Sequence, residues 1–213
     1  MTHDEEEALW LGALRADSDD TVDLLSSRRK QERERRTCAA FLRCAGIEFE
    51  PGQVIASNTE PPDVLFESAR FEIAIVMPQR KMHGEWKATA RRRAEAQEIN
   101  ELIEPYYPPE RLGRQQLIEL ILPTANSKVQ KYGANGTRDL DLLLYINQNV
   151  VLDVKSPNPR CDEFAAQGWR SVSVLVPPHS YVAFARATSP EFIFRKLGKP
   201  SAAWTRPDGL FDI

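Results

Sequence analysis

The chain has 213 residues, 42% of them hydrophobic, and a formal net charge of −3. That length fits one domain with its own core, and no apolar run approaches the roughly 20 residues of a membrane helix. The acidic start MTHDEEEALWLGAL suits neither a secretory signal nor a transit peptide. Cys38, Cys44 and Cys161 lack metal spacing and are odd in number, so reduced thiols in a cytoplasm are expected. His3, His83 and His179 lie far apart in sequence, which argues against a histidine-rich zinc site.

In chain order, residues 1–20 read as an acidic, partly helical extension, with Leu9, Trp10 and Leu14 as a small docking face. Residues 21–213 read as a single α/β domain. A helix is predicted over 22–45, with Thr21 as its cap and Gly46 at its end. Its segment RRKQERERR (28–36) is basic, as is RKMHGEWKATARRR (80–93). Such patches matter more for phosphate contact than net charge does, because screening is local. Arg28, Arg29, Lys30, Arg91, Arg92 and Arg93 are the candidate nucleic-acid contacts, and Trp86 is the aromatic candidate. The alternative is a solvated helix laced by the i,i+4 pairs Arg28–Glu32, Lys30–Glu34 and Glu32–Arg36.

After the Pro51-Gly52 turn comes the short apolar run 54–56. PPDVLFESARFEIAIVM (61–77) predicts a hairpin, strands at 64–66 and 71–77 flanking a turn near 67–68. A long helix is predicted over 84–104, ended by Pro105, Pro108 and Pro109. A second spans about 112–131, with Leu112, Leu117, Ile118, Ile121 and Leu122 buried and Pro123 kinking or stopping it. Gly133–Gly136 reads as a loop. DLDLLLYI and VVLDVK read as a second hairpin through the Asn147–Asn149 turn. A short helix at 161–168, strands at SVSVLVPP and YVAFARA, and a short helix at 190–197 complete the order. The expected fold class is α/β (α+β), a central mixed sheet flanked by helices.

Both hairpins carry acids. A metal-dependent phosphodiesterase needs carboxylates within ~4–5 Å of one another to share a hard cation. The turn near 67–68 sets Asp63 opposite Glu72. The turn at 147–148 sets Asp141 opposite Asp153, with Lys155 on the face of Asp153 because strand side chains alternate. Glu119 on the preceding helix is a further acid for that second set. Asp139, Asp141 and Asp153 after Gly133–Gly136 also resemble the G…DxD…D layout of nucleotidyltransferases, in which three carboxylates hold two Mg²⁺.

The run Pro62-Asp63-Val-Leu-Phe followed by Phe71-Glu72-Ile resembles the PD-(D/E)xK nuclease superfamily, the restriction-endonuclease-like fold. The order helix, short strand, hairpin, helix, strand is that superfamily's. The whole chain also resembles a bacterial family of unknown function labelled "putative endonuclease". The resemblance implies a Mg²⁺-dependent endonuclease acting on DNA or another nucleic acid, often as a homodimer. It implies that Asp63 and Glu72 bind metal, with Glu32 or Glu34 as an additional acid. The motif's lysine position is Ala74. Either Lys81, Lys87 or Arg91 migrates in, Lys155 serves at the second hairpin, or the domain binds nucleic acid without cutting. No Walker A, G-x-G-x-x-G or G-x-S-x-G run occurs in the sequence.

Overall fold

The apolar alternation of the chain resolves into one six-stranded sheet with a helix packed on each face. In the computed structural model, residues 3–76, 85–103 and 107–202 are described, the side chains of 3, 4, 17–25 and 85–87 excepted. The strands are β1 (Ile55–Ala56), β2 (Val64–Phe66), β3 (Ala69–Val76), β4 (Glu110–Leu112), β5 (Asp141–Ile146), β6 (Val150–Leu152), β7 (Ser171–Val176) and β8 (His179–Ala185). The helices are α1 (His3–Leu25), α2 (Lys30–Cys44), α3 (Glu85–Glu95), α4 (Arg114–Gly136), α5 (Asp162–Ala166) and α6 (Glu191–Phe194). The sheet order is β1-β2-β3-β5-β7-β8, and β4 and β6 form a separate two-stranded sheet.

The sheet is mixed: β1, β2 and β3 form an antiparallel meander, β3, β5 and β7 run parallel, and β8 returns antiparallel. Side-chain alternation along β5 sends Leu142, Leu144 and Ile146 to one face and Leu143 to the other. Leu117, Ile118, Ile121 and Ala125 of α4 cover the first face, together with Ala74 and Val76 of β3. Cys38, Phe41 and Leu42 of α2 cover the second, with Val64, Phe71 and Ile73. Phe41 and Phe71 meet edge to face at 6.0 Å. Among the described residues no helix is long and apolar enough to cross a membrane.

Several elements depart from expectation. The boundary near residue 20 falls inside α1, which runs His3–Leu25. Arg15 of α1 donates to the carbonyls of Arg93 and Ala96 at 3.2 and 2.7 Å, and Glu7 accepts from the Ile99 N–H at 2.8 Å, so α1 docks on α3. Helix α2 starts only at Lys30, after a 3-10 turn over Ser27–Arg29. The expected helix over 84–104 ends at Glu95 and resumes as a 3-10 turn at Ile99–Leu102. Helix α4 continues through Pro123 and kinks at Gly133, whose φ of 72° and ψ of 158° are not helical, before a last turn to Gly136. Pro123 is exposed, so its lost backbone bond sits on the solvent side while the stripe Leu117–Ile121–Ala125 keeps the helix seated.

The second hairpin does not form. β5 lies between β3 and β7, while β6 leaves the main sheet and pairs in parallel with β4. The unbroken run Leu142–Ile146 suits a strand buried on both faces, which is the centre of a parallel sheet rather than one arm of a half-exposed hairpin. β4 itself was not expected; three residues after two prolines carry almost no periodic signal.

Candidate active site

The first hairpin forms with the expected register. Val64 pairs with Phe71, Leu65 with Arg70 and Phe66 with Ala69, so the tight turn is Glu67-Ser68 and Asp63 comes opposite Glu72. Asp63 lies one residue before β2, where the ladder has ended. Its Oδ2 accepts the Ile73 N–H at 2.9 Å, substituting for a strand partner. The Asp63 N–H in turn donates to the Phe71 carbonyl at 2.9 Å. Its side chain is 3% exposed, and that of Glu72 is fully buried.

A buried carboxylate is costly without a cation or donors. Glu72 obtains both from α4. Lys128 Nζ lies 2.5 Å from Glu72 Oε1 and 3.4 Å from the Ile73 carbonyl oxygen, and the Tyr132 hydroxyl donates to the same Oε1 at 2.9 Å. Glu72 Oε2 is buried and has no hydrogen-bond partner. Lys128 thus supplies an ammonium at the acid pair although Ala74, two residues after Glu72, cannot. Sequence reading did not name it. The available signal was the stripe Ile121, Ala125, Lys128, Tyr132, which continues the buried face of α4 at one-turn spacing.

Asp63 obtains its cation from α2. Lys30 Nζ lies 3.2 Å from Asp63 Oδ1 and 3.5 Å from Glu34 Oε1, and it also bonds Glu60. Burial works against the charge of Lys30, but Glu60, Asp63 and Glu34 outweigh it and hold the ammonium above its ordinary value. Glu34 is the acid of α2 that reaches this group. Burial first, and the charge of Asp63 second, push its carboxyl up to about 7 against the opposing pull of Lys30. Glu32, the other candidate, is turned to Arg29 and Arg36. Lys131 Nζ completes the network at 2.7 Å from the Tyr132 hydroxyl and 3.5 Å from Glu60 Oε2.

The donors fit a small hard cation. Asp63 and Glu72 are carboxylates, Ile73 adds a carbonyl oxygen, and Glu72 Oε2 is a buried oxygen awaiting a partner. Mg²⁺ is commonly held by one or two carboxylates, with water and substrate oxygens completing the shell. Among the described residues no three Asp, Glu, His or Cys side chains form a ready-made metal cage. Here the lysines hold the acids in place.

The other expected site residues lie elsewhere. Asp141 is fully buried at the start of β5. Its carboxylate accepts from Arg170, from the Ser171 hydroxyl at 2.7 Å and from the Arg70 N–H at 3.0 Å. Asp153 follows β6, and its Oδ1 accepts the Lys155 N–H at 3.0 Å; Lys155 and Asp139 are exposed. Asp141 opens β5 of the six-stranded sheet, whereas Asp153 follows β6, which pairs with β4, and among the described residues Asp139, Asp141 and Asp153 form no three-acid cluster. At Gly133 (φ 72°, ψ 158°) the backbone leaves the helical range, so α4 breaks where a loop was expected and Gly133–Gly136 adds one further turn beyond the kink; the exposed Glu119 pairs with Gln115. Of the basic candidates, Lys30 joins the acid pair, Arg29 bonds Glu32, and Arg28 lies beside it in the 3-10 turn. Arg91, Arg92 and Arg93 lie on α3, with Arg91 3.9 Å from Glu95. The side chains of Trp86 and Lys87 and the whole of Lys81 lie outside the described residues.

One protein family matches residues 4–203; its description is "Putative endonuclease, protein of unknown function (DUF1780)". A solved structure from Pseudomonas aeruginosa strain PAO1, described as a protein of unknown function of the monooxygenase superfamily, is similar along the whole chain. It is 29% identical with a TM-score of 0.66, and the similarity covers 99% of this chain and 100% of that one. No curated protein matches.

Proposed function

The chain belongs to the family described as "Putative endonuclease, protein of unknown function (DUF1780)", and from that premise we propose that it is a divalent-cation-dependent hydrolase of nucleic-acid phosphodiesters with a PD-(D/E)xK-type site. The order α2, β1, β2, β3, helix, β5, with β5 parallel to β3, supports a restriction-endonuclease-like sheet. The observation that carries the reading is Lys128 on Glu72. It restores, from a helix, the ammonium that the strand lacks at Ala74.

Asp63, Glu72 and the Ile73 carbonyl would hold Mg²⁺, whose chemistry is to acidify a bound water and neutralise charge on a phosphate. Tyr132 and Lys128 both engage Glu72 Oε1, which orients the carboxylate and leaves Oε2 to a cation. The Lys128 ammonium stands between Glu72 and the Ile73 carbonyl, where it positions a water by donation and stabilises negative charge on a phosphate oxygen. The Ile73 N–H fixes Asp63 by its Oδ2. Glu34, protonated below about pH 7, is a proton store beside Asp63.

The monooxygenase description of the Pseudomonas aeruginosa protein supplies a second reading. Buried carboxylates with paired ammonium groups suit a hard cation and an anionic substrate better than oxygenation of an apolar one. Oxygen uptake with reduced flavin or nicotinamide, set against cleavage of DNA with Mg²⁺, separates the two readings. The direct test of the site is isothermal titration with Mn²⁺. Saturable binding is expected for the wild type and lost in Asp63→Ala; binding that survives the substitution unchanged contradicts the assignment.

A further inference from the structure

Lys30 on α2 and Lys131 on α4 come from helices on opposite faces of the sheet, yet both converge on one carboxylate, Glu60. Glu60 lies in the segment between β1 and β2, just before Pro61-Pro62, and its side chain is 53% exposed. The two lysines are 43% and 54% exposed. Each is also wired to a different acid of the pair. Lys30 contacts Asp63 directly, and Lys131 contacts Tyr132, whose hydroxyl donates to Glu72. Two ammonium groups bridged by one monoanion, at the solvent edge of a buried acid pair, form a receptor for a tetrahedral oxyanion.

We propose that Lys30 and Lys131 form a phosphate clamp for the nucleic-acid backbone, and that Glu60 is an internal mimic of that phosphate which substrate must displace. The inference rests on the hydrolase reading and names the position at which a backbone phosphate enters the same site. A carboxylate resembles a phosphate in offering two oxygens to two donors. It is released at little cost because an exposed ion pair shifts an equilibrium by only about a few-fold. The clamp therefore stays assembled without substrate and opens to a more strongly charged anion. Lys30 contacts Asp63 and Glu34 as well as Glu60, so an anion that takes the place of Glu60 is coupled to the acid pair.

The test is binding of a short fluorescein-labelled duplex DNA, followed by anisotropy in EDTA so that no cleavage occurs. Glu60→Gln is expected to tighten binding at least about twofold, because it removes two exposed ion pairs. Lys131→Gln weakens binding and lowers the salt slope by about one. In the Lys131→Gln background the gain from Glu60→Gln shrinks, because only the Lys30 pair is then released. Glu191→Gln, which removes the same charge from the exposed Arg195 pair on α6, is expected to leave affinity unchanged. Equal tightening by Glu60→Gln and Glu191→Gln reduces the effect to net charge and overturns the clamp, as does a gain that is undiminished in the double variant. Circular dichroism of each variant keeps misfolding separate. The outcome is independent of hydrolysis: a clamp that behaves as stated in a protein that cuts nothing removes the nuclease reading alone, and cleavage without these binding changes removes the clamp alone.

Discussion

Lys128 of α4 and Glu72 of β3 form an ion pair across the helix–sheet interface, Nζ to Oε1 2.5 Å, with the carboxylate fully buried and the lysine 23% exposed. The pair has a structural and a chemical side. Structurally, it compensates the charge of an acid placed on the apolar α4 face of the sheet. Chemically, it holds an ammonium beside the carbonyl of Ile73, the residue whose N–H binds Asp63.

Lys128→Met leaves Glu72 buried and uncompensated, and removing one partner of a buried pair costs about 3–5 kcal/mol. Because a divalent cation would then supply the missing positive charge, Mn²⁺ is expected to raise the melting temperature more in Lys128→Met than in the wild type. Thermal unfolding with and without Mn²⁺ measures this. An equal shift in both proteins would mean that the cation does not bind at Glu72.

Asp141 and Asp153 are expected to separate as structural and neutral. Asp141→Asn weakens the buried Arg170 contact and is expected to destabilise by about 3 kcal/mol in denaturant unfolding while leaving Mn²⁺ affinity intact. Asp153→Ala removes one turn contact and is expected to stay within about 1 kcal/mol, also with intact Mn²⁺ affinity. Loss of metal binding in Asp153→Ala alone would move the site to the segment after β6.

Glu34 gives the protein a pH dependence of definite sign. Its carboxyl titrates near pH 7 in the fold against 4.5 for the ordinary group. The folded state therefore holds a proton that the unfolded chain has lost, and stability falls as pH rises between those values. The contribution is fully present below about pH 4.5 and lost above about pH 7. Glu34→Gln cannot titrate, so its unfolding free energy is expected to decline less from pH 5 to pH 8 than that of the wild type. Parallel pH profiles would show that Glu34 is already ionised at pH 5.

The turn that follows the Gly133 kink of α4 docks on Gly168. Gly168 has φ +87°, and a Cβ there would come within 2.4 Å of the Ala134 carbonyl and 2.9 Å of Thr137 Oγ1. Thr137 in turn donates to the Gln167 carbonyl at 2.8 Å. Gly168→Ala is expected to cost about 1–3 kcal/mol from backbone strain alone, with a further loss from the clash. A denaturation midpoint equal to that of the wild type would contradict this packing.

The acid pair was legible because its cause is local. Alternation along 64–66 and 69–76 and a short turn at Glu67-Ser68 fix the register, and register sets Asp63 opposite Glu72. The partner of that pair was not legible. Lys128 lies 56 residues beyond Glu72, and only the seating of α4 on the sheet brings it there. The candidates near in sequence, Lys87 and Arg91, lie on α3, which packs on α1. The second hairpin failed for a related reason. Its acids have the right spacing, but Leu142–Ile146 is apolar on both faces and was drawn between β3 and β7, leaving β6 to pair with β4. Pro123 misled in the other direction, since a proline on the exposed side of a well-seated helix does not end it.

Cleavage of supercoiled plasmid DNA with Mg²⁺ or Mn²⁺, compared between the wild type and Lys128→Met, tests the central claim most directly. The wild type is expected to cut with either cation and to stop in EDTA. Lys128→Met is expected to lose about 10²–10³-fold in rate, the range for removing one preorganised donor from a transition state. A wild type that cuts with neither cation, or a Lys128→Met protein that cuts as fast as the wild type, would contradict the account.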